Sequence, residues 1–402
     1  MRWCYAYQAK TQVSPNRRER ITDMTESIRE SDQPILHKRA NAALRSLFIG
    51  DALAMPVHWY YNPQDIEQAF PGGIRKLEAA PRHHPSSIMA LHSTQQGGRG
   101  QQGAGPATGR REVVGDIILK GKRQFWGQAN MHYHQRLQAG DNTLNAHCTR
   151  LLMRTLTAAA GVYDAEEFLQ AYVAFMTSAE PQHPDTYAES YHRAFFANFA
   201  QGKAPAQCAG VTHDTPSIGG LVMIGPLAIS TLLAATPLAE VKLLCRQHLY
   251  LTHPDADLAR VCDDYVGLID ALLFRDPATS GAEILVAAAG KILGVSIKSL
   301  LGQIQHDSDV VGAHFSTACY ISGSWPSVMF LAGKYVDDPR AGLLSNTNLG
   351  GDNVHRCAVL GILLGLASDS SVSEWFGQLK DRKAIDDEIQ GLLNSSVKKA
   401  GV

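Results

Sequence analysis

The sequence predicts an all-α fold built as a single large helical domain, and three observations carry the prediction. Apolar residues recur at helical spacing through most of the chain from Ile35 onward. Strand-like alternation is nearly absent, the stretch from Val113 to Leu119 being the exception. No internal repeat of about 20–50 residues is visible, which disfavours a solenoid. With 402 residues the chain is long enough to bury a large core.

Each element has its own signal. Residues 1–35 mix Arg17, Arg18 and Arg20 with Asp23, Glu26, Glu30 and Asp32 and show no apolar period, so they read as a disordered tail. An organellar transit peptide is the alternative, but such peptides are poor in acids; Met24 is an alternative start. The domain proper is assigned to 36–368. Its first helix carries Ala43, Leu44, Leu47, Phe48 and Ala52, and Pro56 stops it soon after Gly50 and Asp51. Residues 60–135 are irregular, with Pro71-Gly72-Gly73, a turn at His84-Pro85 and a Gly/Gln-rich loop from Gln95 to Gly109. Amphipathic helices follow near 143–160, 164–177, 186–200, 217–235, 238–251, 255–275 and 279–294. Further helices are expected near 296–305, 312–335, 339–345 and 354–368, and residues 369–402 supply a charged closing helix and tail.

Composition excludes several classes of function. The chain holds 37 basic and 38 acidic residues, so no global field recruits nucleic acid or an anionic membrane. The longest apolar run, Leu221 to Leu238, is broken by Gly225, Pro226 and Pro237 and is no membrane span. Seven scattered cysteines without a C-x-x-C pair point to reduced thiols and a soluble cytoplasmic protein.

Two glycine-acid-amide turns carry the chemistry: Gly140-Asp141-Asn142 and Gly350-Gly351-Asp352-Asn353, each opening into an apolar helix. Helix N-termini attract phosphates, and glycines let a ligand approach the backbone. Capping alone also explains an Asp at such a place, worth about 0.5–2 kcal/mol. Asp51 is not explained that way, because it lies near the end of its helix, where the dipole disfavours an acid. Arg356 is placed to pair with Asp352 or to clamp a phosphate. His355 and His134 are candidates to work as acids beside an Asp141 or Asp352 base. Imidazoles with Asp141 and Asp352 would suit zinc or iron, although no H-x-x-x-H spacing supports it. Asp185, Glu189 and His192 would share one helix face, as a solvated surface or a substrate wall. Trp59, Tyr60 and Tyr61 offer stacking surfaces or core packing.

Taken in order, these motifs resemble the ADP-ribosylglycohydrolase family, with relatives among dinitrogenase reductase-activating glycohydrolases and J-type crystallins. Gly50 to Pro56 resembles the first-helix signature, and Gly140 to Thr143 falls on T-D-D-[ST]. Ser217 to Pro226 loosely resembles G-N-G-x-x-M-R-x-x-P, Thr252-His253 matches a T-H turn, and Gly350 to His355 falls on G-G-D-x-D-[ST]. The resemblance implies an orthogonal all-α domain whose cleft binds an ADP-ribose-type small molecule or an ADP-ribosylated protein. Together with the residue readings above, this places catalysis at Asp141 and Asp352, and substrate binding at Asp51, Gly350, Gly351, Asn353, His355, Arg356 and His134. The resemblance also implies two divalent ions in the cleft, usually Mg2+, whose ligation would fall to Asp141, Asn142 and Asp352.

The letters depart from that pattern at the ligands. Asn142 and Val354 stand at acid positions and His355 at a hydroxyl position, which leaves at most a weakly held magnesium. The expected function is therefore hydrolysis of an ADP-ribosyl or related N- or O-glycosidic bond with a reduced or altered metal site. The alternative is an inactive nucleotide-binding or crystallin-like structural descendant.

Overall fold

The computed structural model describes residues 32–99 and 111–400. The assigned tail up to residue 31 and most of the Gly/Gln-rich loop lie outside them. Among the described residues the secondary structure is helical, with isolated bridges in place of strands.

At its centre is an antiparallel pair, helix α1 (Gln33–Ala54) and a late helix, Asn353–Ser368, buried along nearly its whole length. Small residues let their backbones touch. A Cβ on Gly361 would lie 2.4 Å from the Ser46 carbonyl oxygen, and one on Gly50 would lie 2.5 Å from that of Cys357. Gly365 likewise has room for no side chain against Ala43. The pair is pinned at its far end, where Arg39 and Arg275 both hold Asp369.

Around this pair lie α2 (Pro63–Ala69), α3 (Leu144–Ala158), α4 (Ala165–Thr177), α5 (Ser190–Ala200), α6 (Ile224–Leu233), α7 (Leu238–Tyr250) and α8 (Ala256–Leu273). Then come α9 (Gly281–Leu293), α10 (Ile297–Leu301), α11 (Ile321–Lys334) and α12 (Pro339–Asn348), before the central α13 (Asn353–Ser368). The chain closes with α14 (Ser373–Phe376) and α15 (Arg382–Ala400). The segment after residue 368 packs into the body: α15 buries Ile385, Ile389, Leu392 and Leu393, and Glu388 with Asp381 grips Arg150 of α3.

Three expectations are corrected. Val113 to Leu119 is no strand but a tight turn around Gly115, whose φ of 104° a strand would not allow. The helix expected over 217–235 is a short 3-10 turn, Ile218–Leu221, followed by α6. The helix expected from 312 begins at Ile321.

The antiparallel pairing of α1 and α13 positions the site. The end of α1 and the start of α13 lie at the same end of the pair. There the following loops are zipped together: Gly351 N–H donates to the Tyr60 carbonyl and Trp59 N–H to the Gly351 carbonyl, both at 2.7 Å.

Candidate functional site

The zipped loops bring His58, just after α1, against Asp352, just before α13. His58 Nε2 lies 3.0 Å from Asp352 Oδ1, and His355 Nδ1, one turn into α13, lies 2.7 Å from the same oxygen. All three side chains are buried. Asp352 makes no cap hydrogen bond to its own helix, and its Oδ2 has no partner. Capping therefore does not account for this aspartate.

Behind His58 runs a chain of buried groups. Its Nδ1 lies 2.8 Å from His134 Nε2, and His134 Nδ1 lies 2.9 Å from Asp185 Oδ1. Asp185 Oδ2 in turn accepts the Leu144 N–H at the start of α3. Burial and the neighbouring His134 push His58 down to about 3, partly offset by Asp352. Burial also opposes a charge on His134, but Asp185 overrides it and raises the group. Asp185 and Asp352 are both held well below the usual carboxylate range; burial opposes this and their histidine partners outweigh it. Asp352 and Asp185 thus each hold one imidazole, and the two imidazoles meet at His58 Nδ1 and His134 Nε2.

On the other side, His355 Nε2 lies 2.6 Å from the Asn145 side-chain amide and 3.5 Å from Glu189 Oε1. Burial works against its charge, yet Asp352 and Glu189 lift it to about 10. Glu189 Oε2 is buried without a hydrogen-bond partner, 3.5 Å from His192 Nε2. Asn145 is itself held by Tyr191 and His192.

These groups open on a cavity of about 310 Å³ walled by Trp59, Tyr61, Tyr133, Tyr187, Tyr191 and Tyr320, with Asp352, His355 and Glu189 at its lining and Arg99 and Asp214 beside them. That volume is at the lower end of the about 300–1,000 Å³ usual for small-molecule sites. Trp59 stacks on His58 with ring centroids 3.7 Å apart, closing one face of that imidazole.

Several residues expected at the site do other work. Asp141 is not among the cavity-lining residues; its Oδ2 accepts the Gln138 N–H at 2.7 Å, closing its own turn. Asp51 is buried, with Oδ1 accepting from Asn142 Nδ2 and Thr143 N–H and Oδ2 from Thr143 Oγ1. Asp51 and Asp185 together cap α3 from outside, the role expected of Asp141. Burial raises the Asp51 carboxyl, against the pull of Thr143 and Asn142.

Gly350 and Gly351 adopt φ of 67° and 62°, but they form no phosphate cradle. The Gly351 and Asp352 N–H groups are taken by the Tyr60 and Thr317 carbonyls, and a Cβ on either glycine would lie 2.1 Å from one of those oxygens. Arg356 clamps no phosphate either, since its guanidinium is spent on Asn346 Oδ1 and the Thr317 and Gly350 carbonyls. Asn353 Nδ2 binds the Thr347 carbonyl and supports the same turn. His134 lies behind His58 rather than at the cavity lining.

The sequence reading missed His58 and Asn145. The first stands two residues after Pro56 and directly before the aromatic run Trp59-Tyr60-Tyr61, which is its one signal in the sequence. Asp185 and Glu189, expected on a helix face, lie in the loop before a helix that starts only at Ser190.

The chain matches the ADP-ribosylglycohydrolase family over residues 32–400 and belongs to it. Membership supports a glycohydrolase-type function. Among solved structures the chain is similar to an ADP-ribosylglycohydrolase-related protein complex, with 15% identity, a TM-score of 0.53, and coverage of 90% of this chain and 99% of that one. At that identity the likeness speaks for the fold. No curated protein matches the chain significantly. No helix among the described residues is long and apolar enough to cross a membrane.

The family is typically metal-dependent, and magnesium asks for several oxygen ligands. The residues here do not fit a pair of such ions. Both Asp51 oxygens are engaged, Asn142 donates its Nδ2 to Asp51 and to the Phe48 carbonyl, Asp141 serves its own turn, and Val354 offers no donor. Among these expected ligands Asp352 brings a buried carboxylate oxygen without a partner, and two imidazoles flank it.

Proposed function

We propose that the chain hydrolyses an ADP-ribosyl or related N- or O-glycosidic bond at this cavity, with Asp352 and Glu189 as the acting carboxylates. One observation carries the reading. Asp352 Oδ2 and Glu189 Oε2 are both buried without a hydrogen-bond partner, and both residues line the same aromatic cavity. A buried acceptor left unpaired costs about 1–3 kcal/mol, more when charged, so two in one place mark a site whose partner comes from a ligand.

Glycosidic cleavage commonly uses two carboxyl groups on either side of the bond. Asp352, held anionic by His58 and His355, is a poor proton acceptor but a strong stabiliser of the positive charge that grows on the ribose. Glu189 faces the same space and takes the proton from water. His355 lies between the two carboxylates and fixes their spacing. The tyrosines and Trp59 give the ribose and adenine flat apolar walls; Arg193 at the lining is spent on backbone carbonyls, which leaves Arg99 as a cation suited to a pyrophosphate. The reading assigns no catalytic part to Asp141.

Release of ADP-ribose from ADP-ribosylated peptides of defined linkage tests the proposal, with Asp352→Asn and Glu189→Gln beside the parent chain. Each substitution is expected to lower kcat at least 100-fold with the far-UV spectrum unchanged. Full rates in both variants would sink it. Absence of turnover on every linkage, with ADP-ribose still raising Tm, would favour a binding descendant; no thermal response would favour a structural one.

A further inference from the structure

We propose that His58, Asp352 and His355 bind one divalent transition-metal ion of the zinc or iron(II) class. The proposal rests on the glycohydrolase reading only for what the ion is used for, not for its binding.

The donor atoms already converge. His58 Nε2 and His355 Nδ1 lie 3.0 and 2.7 Å from Asp352 Oδ1, and the three ligand atoms lie within 4.8 Å of one another. Two ligands each about 2.0–2.1 Å from one ion stand about 2.9–3.4 Å apart, so a small outward shift admits the ion. The His58 and His355 rings stand at 88° to each other, so their nitrogens approach the carboxylate from different directions. Asp352 Oδ2 has no partner, and His355 Nδ1 meets Asp352 closely without an aligned hydrogen bond.

The surroundings provide a second, independent observation. Metal-bound imidazoles almost always have their other nitrogen fixed by a carboxylate, carbonyl or water, which sets the tautomer. His58 is fixed in that way: its Nδ1 lies 2.8 Å from His134 Nε2, and His134 Nδ1 is held by Asp185. For His355 the ligating tautomer carries its proton on Nε2, 3.5 Å from Glu189 Oε1.

The donor set decides the kind of ion. Two imidazoles and one carboxylate suit zinc, iron(II) or cobalt, whereas magnesium prefers oxygen throughout. Asp352 and His355 line the cavity, so the remaining positions face the space where water and substrate enter, as in catalytic rather than structural zinc sites.

Chelator-stripped full-length chain, dialysed against Zn2+ or Co2+ with a thousandfold excess of Mg2+, provides the test, with metal counted by mass spectrometry. One ion per chain is expected, with Co2+ giving visible bands of low-coordinate geometry. His58→Ala and His355→Ala should each weaken binding at least 100-fold. His134→Ala should weaken it about 10–100-fold, and exposed His306→Ala should not change it. The proposal is overturned by uptake well below one ion, by displacement with Mg2+, or by full retention in His355→Ala. Should the alanine variants not fold, X-ray absorption of the zinc-loaded parent decides, and fewer than two imidazoles in the shell overturns it. Metal uptake without turnover would refute the proposed function and leave this site standing; turnover without uptake would do the reverse.

Discussion

Replacing Gly361 with alanine adds one methyl where α13 crosses α1. The new Cβ would lie 2.4 Å from the Ser46 carbonyl oxygen and 2.7 Å from its carbon. Ordinary contact begins near about 3.4 Å, so the two backbones must part by about 1 Å, and the neighbouring contacts at Gly50 and Gly365 resist the movement. Overpacking of this kind costs about 1–3 kcal/mol, and the rigid backbone neighbour points to the upper end. Alanine returns about 1 kcal/mol through its better helix propensity. The net expectation is a loss of about 2 kcal/mol. Gly290, inside α9, is the matched control, because its nearest neighbour to a new Cβ is 3.7 Å away; there alanine should stabilise by about 0.5–1 kcal/mol. Urea unfolding followed by circular dichroism measures both. If Gly361→Ala proves as stable as the parent with an unchanged m-value, close backbone contact is not what pairs these helices.

Other perturbations follow from the site's support. Asp51→Ala should cost about 2–3 kcal/mol in urea unfolding by stripping three donors of their acceptor at the start of α3, while Asp141→Ala should cost under about 1 kcal/mol and leave any turnover untouched. Arg356→Lys cannot span Asn346, Thr317 and Gly350 and should lower stability by about 2 kcal/mol. Unchanged stability would remove the clamp from the account of that turn. Acid should destabilise the chain through histidines outside the site. Burial chiefly lowers His147 to about 4 and His183, His248 and His253 to about 3. The unfolded chain takes up these protons near pH 6.5 and the folded one does not, so stability is complete above that pH and falls as pH drops toward the folded values. Each such histidine costs about 2 kcal/mol between pH 7 and pH 5. A flat stability profile across that window would contradict their neutral burial.

Local periodicity was enough for most helices, because each buries a stripe whose spacing is written in the chain. It failed where local chemistry was ambiguous. Val113 to Leu119 alternates like a strand yet wraps around Gly115, and the residues before Ser190 have helical spacing but form a loop. At the site the sequence made Asp352 visible through its motif, and left open whether capping or chemistry held it there. It presented Asp141, Gly350 and Arg356 in the same light, although their neighbours turn each to structural duty. His58 carried no motif, and 294 residues separate it from Asp352.

What the sequence determined by itself was the helical class, the family and the turn that carries Asp352, since these depend on spacing and residue type along the chain. The tertiary structure decided which polar groups meet. Antiparallel contact between α1 and α13, allowed by Gly50, Gly361 and Gly365, carries His58 and His355 to one carboxylate oxygen and leaves the other without a partner. A buried donor or acceptor takes its role from the partners within about 3 Å of it, and for this site those partners come from loops far apart in the chain.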